Sequence, residues 1–388
     1  MAKLQLIATS AFGIESVVGR ELTKLGYDDQ FIENGRVTFA GDESAICRTN
    51  LWLRSAERVI VKIGEFNALS FEELFEGTKA LPWHEWIPKD AEFPVEGKSV
   101  DSKLSSVPDC QAIVKKAVVE KLKQKYNVEW FEETGPRYKI EVSLLKDMAT
   151  LTIDTTGTGL HKRGYRELVA TAPLRETLAC AMLQISRWNP DRVLIDPFCG
   201  SGTIPIEAAL IGLNIAPGIN RSFVAETWPN IPKKMWDTAR EEARDSVKRD
   251  KELRIQGSDI SEEVMSLARY HAKRAGVESA IHLQRLPMSE ISSRYKYGFI
   301  ICNPPYGERI GEMKQVEKLY KEMGQVFGKL DTWSYYIISS HQQFEKLFGR
   351  RADKKRKLYN GRILCNYYQF FGPPPPKVKL EETIEEKV

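Results

Sequence analysis

Val193-Leu-Ile-Asp-Pro-Phe-Cys-Gly-Ser-Gly-Thr203 is the stretch that decides the fold of this 388-residue chain. Its apolar start and Asp196 predict the end of a buried strand, and Ile204–Leu213 continue as an apolar helix. Gly200 and Gly202 allow a tight turn and let a ligand approach where a side chain would clash. A strand, a glycine-rich turn and a helix in this order are typical of ligand-binding α/β sheets. A tight strand–helix connection without a ligand would use the same residues.

Further strands and helices alternate after this turn. Phe299–Cys302 and Tyr335–Ser339 have the apolar composition of buried strands. Asn360-Gly361 predicts a terminal hairpin, because both central positions of such a turn take positive φ. We therefore predict an α/β fold in which a Rossmann-like C-terminal sheet ends in an antiparallel hairpin. Short helices and strands before residue 166 predict preceding α+β units.

Asp259 ends the next predicted strand, where a carboxylate can accept both ribose hydroxyls of a nucleoside. The glycine spacing is not G-x-G-x-x-G and no Lys-Ser/Thr pair follows, which disfavours a dinucleotide or phosphate-binding loop. A nucleoside cofactor bound without a pyrophosphate fits this pattern, and S-adenosylmethionine is such a cofactor. An ordinary helix cap is the alternative role for Asp259.

Asn303-Pro304-Pro305-Tyr306 follows the apolar strand Phe299–Cys302 directly. The prolines stiffen the loop and remove two donors, which leaves the Asn303 side-chain oxygen and the Pro304 carbonyl as fixed acceptors. These acceptors can hold the two N–H bonds of an exocyclic amino group, and Tyr306 can stack on its base. Such positioning suits methyl transfer to a weakly nucleophilic amine. A rigid Pro-Pro turn is the alternative.

Composition excludes several classes of protein. The chain has 57 Lys and Arg against 53 Asp and Glu, a net charge of +4, and 42% hydrophobic residues. No apolar run is long enough for a membrane span, and the six scattered cysteines have no metal-ligand spacing. We therefore expect no membrane and no metal, and free thiols in a reduced cytoplasm.

Basic residues cluster locally although the whole chain is nearly neutral. Residues 346–362 hold eight Lys and Arg against one acid, which favours a phosphate backbone as partner, although a solvated face is the alternative. The predicted RNA-binding residues are Lys115, Lys116, Lys162, Arg163, Arg166, Arg350, Arg351, Lys354, Lys355 and Arg356.

The Asp196 turn, Asp259 and Asn303–Tyr306 resemble the amino-methylating branch of the class I S-adenosylmethionine-dependent methyltransferases. That resemblance implies that Asn303, Pro304, Pro305 and Tyr306 are catalytic. The cofactor-binding residues that it implies are Pro173, Arg175, Glu176, Asp196, Phe198, Gly200, Gly202, Thr203, Asp259, Ile260, Leu286 and Met288. Many relatives carry an acid after the third strand for the adenine amino group. Here Leu286-Pro-Met288 stands there, so we expect apolar walls and backbone contacts around adenine, with Glu290 nearby.

Three stretches outside this domain resemble the bacterial 23S ribosomal RNA guanine-N2 methyltransferases: Thr9–Ser16, Ser106–Ala117 and Asp154–Arg166. The resemblance covers residues 1 to about 372. It implies a ferredoxin-like unit over 1–65, a THUMP RNA-binding domain over 66–165, a catalytic domain over 166–376 and a flexible acidic tail over 377–388.

The sequence thus predicts a cytoplasmic enzyme that methylates the exocyclic N2 of a guanine in 23S ribosomal RNA, with S-adenosylmethionine as cofactor. RNA is the expected partner, and the oligomeric state is left open. Three alternatives stay open as well: a tRNA guanine-N2 methyltransferase, a DNA adenine-N6 methylase, and a non-catalytic RNA-binding factor in ribosome assembly.

Overall fold

Two seven-stranded sheets organise the chain, and the computed structural model describes residues 3–166, 174–307 and 313–376. The predicted acidic tail, 377–388, and Pro173 lie outside the described residues. Both sheets carry helices, which confirms the predicted fold: an α/β domain preceded by α+β units.

The N-terminal sheet has the strand order β2-β3-β1-β4-β7-β6-β5. Its elements are β1 (Leu4–Thr9), α1 (Glu15–Lys24), β2 (Gln30–Glu33), β3 (Arg36–Gly41), α2 (Glu43–Trp52), β4 (Arg58–Asn67), α3 (Phe71–Ala80), β5 (Val95–Val100), α4 (Val107–Tyr126), β6 (Ile140–Leu145) and β7 (Met148–Asp154). Strand β4 pairs with both β1 and β7, so one sheet runs through the two predicted N-terminal units. Pro94, Gly97 and Pro108 predict a loop in this part of the chain, but strand β5 forms there. It has no fully buried residue, so it carries no strong apolar signal.

The C-terminal sheet has the strand order β10-β9-β8-β11-β12-β14-β13. Its elements are α5 (Glu176–Ser186), β8 (Leu194–Asp196), α6 (Thr203–Gly212), α7 (Lys233–Asp245), β9 (Ile255–Asp259), α8 (Glu262–Arg274), β10 (Ile281–Arg285), β11 (Phe299–Cys302), α9 (Met313–Phe327), β12 (Ser334–Ser339), α10 (Phe344–Phe348), β13 (Lys354–Asn360) and β14 (Ile363–Phe370). Strands β8 to β12 are parallel, and β14 is antiparallel to both β12 and β13. All residues of β8 and β11 are buried, as expected for strands with helices on both faces.

The terminal hairpin forms where it was predicted, but its turn is shifted by one residue. Asn360 pairs with Ile363 as the last residue of β13, so Gly361 and Arg362 are the central turn residues. Of these two, only Gly361 has a positive φ, +63°. The run of charged residues from Lys233 to Leu253 predicts one long helix, but α7 ends at Asp245.

The two halves of the chain share their cores. Ile14 and Val17 of the N-terminal half are fully buried among residues of α5, α6 and β14. In exchange, Phe223 and Trp236 of the C-terminal half belong to the core of the N-terminal sheet. Such reciprocal burial of apolar side chains holds the N-terminal half firmly against the C-terminal sheet.

Candidate active site

The glycine-rich turn after β8 lies at the carboxyl edge of the C-terminal sheet. Gly200 and Gly202 have positive φ angles of +52° and +87°. A Cβ built on Gly200 meets nothing within 4 Å, while one on Gly202 would lie 3.2 Å from the Ala268 Cβ on α8. Gly202 is therefore required for backbone conformation and for packing, and the space around Gly200 is open to a ligand.

Asp196 ends β8 with only 1% of its surface exposed. Its Oδ1 accepts a hydrogen bond from the Phe198 backbone N–H at 3.1 Å. Burial raises the pKa of the Asp196 carboxyl well above its ordinary value, although the bond from Phe198 opposes this, and the nearby Asp259 raises it further. A carboxylate that is so costly to ionise favours a cationic ligand beside it.

Asp259 ends β9 beside the turn and remains partly exposed. Its Oδ2 accepts from the Gly200 N–H at 3.3 Å and its Oδ1 accepts from the Ser261 N–H at 3.1 Å. The N-cap of α8 is Ser261, whose hydroxyl accepts from the Val264 N–H. Asp259 is thus not the residue that caps this helix, and its carboxylate is joined to the turn at Gly200.

Apolar residues follow the ends of β9 and β10 at this edge of the sheet. Ile260 is 68% exposed, whereas Met288 is buried. The Leu286 N–H donates to the Asp259 carbonyl at 3.1 Å, which ties the ends of β9 and β10 together. A cavity of about 250 Å³ lies beside Leu286, and Glu290 is among the residues that line it.

Asn303–Tyr306 follows β11 at the same edge. The Tyr306 hydroxyl donates to Asn303 Oδ1, and the Asn360 amide donates to the Tyr306 hydroxyl at 3.5 Å. The Tyr306 ring is partly buried against the core, and burial raises the pKa of its hydroxyl. The phenol therefore stays neutral and acts as a donor that fixes the Asn303 carboxamide.

Tyr320 on α9 was not singled out in the sequence, yet it holds this loop in place. Its buried hydroxyl donates to the Pro305 carbonyl at 2.7 Å and lies 3.0 Å from the Ser339 hydroxyl. Burial raises the pKa of Tyr320 to about 12. The apolar periodicity of α9 marks Tyr320 as a core residue, but no sequence signal indicates its bond to the loop.

Cys199 and Cys302 flank the site and are buried. Burial raises the pKa of both thiols well above the ordinary value. Neither thiol has the exposed, electropositive surroundings that a nucleophilic thiolate needs, so both fill space in the core.

Arg163 corrects the set of predicted RNA-binding residues, because it is only 4% exposed. Its guanidinium contacts Glu207 Oε1 at 3.4 Å and donates to the Leu160 and Arg54 carbonyls. These partners lie in the linker that follows β7 (described over residues 155–166), in the N-terminal half and on α6. The side chain is part of the interface between the halves of the chain, so it does not contact RNA.

Arg166 is a second correction. Its side chain is 11% exposed and lies 3.5 Å from Glu176. The guanidinium donates to the Thr203 hydroxyl at the start of α6 and to the Leu174 carbonyl at 3.2 Å. Arg166 therefore supports the glycine-rich turn instead of facing RNA. It also joins Thr203 to Glu176, two of the predicted cofactor-binding residues.

Arg175, another predicted cofactor-binding residue, is exposed, and its guanidinium lies 3.7 Å from the Glu57 carboxylate.

Arg356 is only half-exposed and bonds to the N-terminal half, with its Nε 2.7 Å from the Gly13 carbonyl. Arg350 pairs with Asp353 at 3.2 Å and donates to the Phe371 carbonyl beyond the amino edge of the sheet, away from the site.

Lys115 and Lys355 form ion pairs with Glu133 and Glu345, respectively. The other predicted RNA-binding residues, Lys116, Lys162, Arg351 and Lys354, are exposed.

Among residues 3–166, 174–307 and 313–376, no helix is both long and apolar enough to cross a membrane. Within the same part of the chain, no group of three or more His, Cys, Asp or Glu side chains could hold a metal ion.

A parallel sheet with an antiparallel hairpin at its end and polar side chains at its carboxyl edge is the architecture of the class I methyltransferases, and residues of this chain match a methyltransferase family model. The family follows from comparison with family models. Residues 163–369 match the RMKL-like methyltransferase domain, and the chain belongs to that family. Residues 5–60 match the RlmL ferredoxin-like domain, and residues 68–154 match the THUMP domain. The predicted ferredoxin-like and THUMP units are thereby confirmed.

Curated relatives extend over the whole chain. The Bacillus subtilis (strain 168) protein named "Putative RNA methyltransferase YpsC" is 52% identical over 384 residues, which cover 98% of this chain and 100% of that protein. The ribosomal RNA large subunit methyltransferase K/L of Psychromonas ingrahamii is 32% identical over 99% of this chain. The aligned residues are 52% of that protein, so this chain spans about half of its length.

Solved structures have the same fold. A Listeria monocytogenes protein described as a predicted N6-adenine-specific DNA methylase is 52% identical, with a TM-score of 0.92 over 96% of this chain and 97% of that one. A structure described as "SMU.472, a putative methyltransferase complexed with SAH" is 46% identical, with a TM-score of 0.92 over 97% of this chain and 100% of that one. The predicted enzyme class and cofactor are confirmed: the chain is a methyltransferase that uses S-adenosylmethionine.

Proposed function

We propose that this chain is an RNA methyltransferase that transfers the methyl group of S-adenosylmethionine to the exocyclic N2 of a guanine in 23S ribosomal RNA. The observation that carries the proposal is the Asn303 carboxamide, held by Tyr306 at the edge of the sheet that also bears Asp196 and Asp259. The THUMP domain and the names of the relatives support RNA as the substrate.

The residues present fit the cofactor. The open space at Gly200 admits a ligand, and the partly exposed Asp259 carboxylate keeps lone pairs for ribose hydroxyls. Ile260, next to Asp259, offers an exposed apolar surface for the adenine ring. Leu286 and Met288 are the candidates for the opposite wall of the adenine site. The buried Asp196 suits the cationic methionine end, and Arg166 holds Thr203 and Glu176 near it. When bound, the cofactor supplies an electrophilic methyl group on a sulfonium.

The loop Asn303–Tyr306, which we call the target loop, would hold the amine that receives this methyl group. Asn303 Oδ1 and the Pro304 carbonyl accept the two N–H bonds of the exocyclic amine and aim its nitrogen along the line of attack. Tyr306 stacks on the extruded base while Tyr320 keeps the Pro305 backbone fixed. The nitrogen carries a positive charge once the new bond forms, and it then releases a proton to water. No strong base is needed beforehand, which agrees with the neutral phenol of Tyr306.

RNA would be held by exposed cations on both halves of the chain. Lys116 on α4 and Lys162 in the linker are exposed, as are Arg351 and Lys354 before and at the start of β13. Ion pairs such as Lys355–Glu345 lie at the surface and can exchange for phosphate contacts at little cost. We also propose the domain boundaries 65/66, 165/166 and 376/377, and a cytoplasmic location for an enzyme with such a substrate.

The test combines purified protein, S-adenosylmethionine with a labelled methyl group, and four unmodified substrates: 23S ribosomal RNA, 16S ribosomal RNA, tRNA and adenine-containing DNA. We expect label only in 23S ribosomal RNA, in a nucleoside that co-migrates with N2-methylguanosine after digestion. Label in tRNA would show that tRNA is the substrate, and label in DNA adenine would contradict the proposal of an RNA substrate. Absence of label in all four, together with full complementation of a deletion strain by Asn303→Ala, would support the non-catalytic assembly factor instead.

A further inference from the structure

The N-terminal half reaches the active-site edge through the loop between β1 and α1. Gly13 in this loop has φ +90°, and a Cβ built on it would lie 2.5 Å from the Lys357 carbonyl of β13. Arg356 donates from Nε to the Gly13 carbonyl at 2.7 Å and from Nη2 to the Ser16 hydroxyl at 2.9 Å. This loop therefore packs directly on the backbone of the edge strand.

The loop carries Phe12 on its surface, next to Tyr359 of β13. Phe12 is 53% exposed and Tyr359 is 39% exposed. Their ring centroids lie 6.5 Å apart with an interplanar angle of 73°, an edge-to-face arrangement. Two neighbouring aromatic rings in contact with water suggest a surface that is covered by a partner.

The register of the sheet places this pair beside the target loop. Lys355 is level with Cys302, the last residue of β11, so β13 continues five residues beyond the carboxyl edge to Asn360. The Asn360 amide then donates to the Tyr306 hydroxyl at 3.5 Å. Tyr359, one residue earlier and on the other face of β13, lies four residues beyond the level of Cys302, so its ring projects past the carboxyl edge near the Asn303–Tyr306 loop.

The charge around the pair matches a polyanion. Lys357 lies two residues before Tyr359, on the same face of β13, and is exposed. Arg362 in the hairpin turn is exposed as well, and the exposed Arg20 of α1 lies near Arg356 of β13. Aromatic rings set among cations are the usual surface for single-stranded nucleic acid, where bases stack and phosphates pair with Lys and Arg.

We propose that Phe12 and Tyr359 form a stacking platform for an unpaired nucleotide next to the target guanine of the RNA. A base that is extruded into the Asn303 site leaves its neighbour unstacked at the rim, and this platform replaces the lost stacking partner. The N-terminal half thereby contributes one of the two rings directly to the substrate-binding rim. The inference rests on the proposed RNA substrate.

The test compares Phe12→Ala and Tyr359→Ala with Phe31→Ala, a matched control because Phe31 is 64% exposed on β2 of the same half. The readouts are KM and kcat for 23S ribosomal RNA and Kd for S-adenosylmethionine. We expect Phe12→Ala and Tyr359→Ala to raise KM about tenfold, since loss of one base–aromatic stack weakens binding by roughly 5- to 150-fold. Phe31→Ala should stay within about twofold, and cofactor Kd should not change in any variant.

Two further substitutions separate stacking from packing. Phe12→Trp keeps an aromatic face and should retain the wild-type KM, whereas Phe12→Leu keeps apolar bulk and should behave like Phe12→Ala. Provided that the wild type methylates RNA, two results overturn the platform. One is a wild-type KM for Phe12→Leu, and the other is a rise in KM for Phe31→Ala equal to that for Phe12→Ala. If the wild type itself methylates no RNA, the proposed function is wrong, and the stacking platform is rejected for that separate reason. An effect seen only on assembled ribosomal particles, and not on naked RNA, would assign the rings to a protein partner and also overturn the proposal.

Discussion

The turn Val193–Thr203 and the linker segment His161–Arg166 both attracted functional predictions, but the fold uses them in opposite ways. The turn presents its polar groups at the edge of the C-terminal sheet, where Gly200 and Asp259 are joined by a hydrogen bond. The linker instead buries Arg163 against Glu207 and directs Arg166 to Thr203. The position of a residue at the end of a parallel strand predicts correctly that it lies at this edge of the sheet, whereas positive charge in a connecting segment does not predict exposure.

The largest expected effect tests the linker side of this contrast. Arg163→Met leaves the carboxylate of Glu207, which is fully buried, without its guanidinium partner. We expect the free energy of unfolding to fall by about 3–5 kcal/mol, the usual cost of breaking a buried ion pair. Chemical denaturation followed by tryptophan fluorescence measures it.

Lys162→Met is the matched control, because Lys162 is exposed and adjacent, and it should change stability by less than about 0.5 kcal/mol. The double variant Arg163→Met/Glu207→Leu should recover part of the loss, since no lone charge is left buried. A variant Arg163→Met that is as stable as wild type but binds RNA more weakly would return Arg163 to the RNA-binding set.

The second largest effect is expected at Asn303, on the carboxyl edge of the C-terminal sheet. Asn303→Ala removes the acceptor that Tyr306 fixes, so kcat should fall about 100-fold or more because the amine is no longer positioned. Single-turnover methyl transfer measures the rate, and isothermal titration measures cofactor binding, which should stay unchanged. Asn67→Ala, an exposed asparagine at the end of β4, serves as the control and should keep the wild-type rate. A loss of cofactor affinity equal to the loss of rate would move Asn303 from the target site to the cofactor site.

Features of this molecule were predictable from the sequence where the interacting residues are neighbours in the chain. Motifs contained in one short stretch, such as the glycine turn and the hairpin near Asn360, were predicted because their residues are adjacent in the chain. Arg163 was predicted wrongly because its partners lie 44 and 109 residues away. Strand β5 escaped prediction because an edge strand with no fully buried residue has no apolar alternation. Tyr320 escaped because its functional contact is a hydrogen bond to a backbone carbonyl that only the tertiary fold brings near.

Asp196 is expected to lower the stability of the fold at neutral pH while it strengthens cofactor binding. Burial raises the pKa of this carboxyl, so the folded state holds its proton more tightly than the unfolded state does. Stability contributed at this site is present below the unfolded pKa and is lost as the pH rises towards the folded pKa. Asp196→Asn removes that loss and should raise Tm by about 2–4 °C at pH 7.5, the shift that about 1 kcal/mol produces in a domain of this size.

This gain in Tm should shrink as the pH is lowered from 8 to 5, as scanning calorimetry at several pH values can measure. Cofactor affinity should fall in the same variant, because the cationic methionine end loses its anionic partner. A lower Tm at neutral pH with unchanged cofactor affinity would contradict the assignment of Asp196 to the cofactor site.

The smallest expected effect concerns Tyr320, which has neither a place in a motif nor a place in the interface between the halves. Tyr320→Phe keeps the buried ring and removes only the hydroxyl that donates to the Pro305 carbonyl. One such bond contributes about 1 kcal/mol, so kcat should fall about three- to tenfold while KM for RNA and cofactor Kd stay constant. Tyr335→Phe, which removes another buried hydroxyl bonded to backbone carbonyls away from the target loop, controls for stability alone. If both variants lose the same activity, Tyr320 is a core residue only, and the target loop is then held by its prolines and by Tyr306 without help from α9.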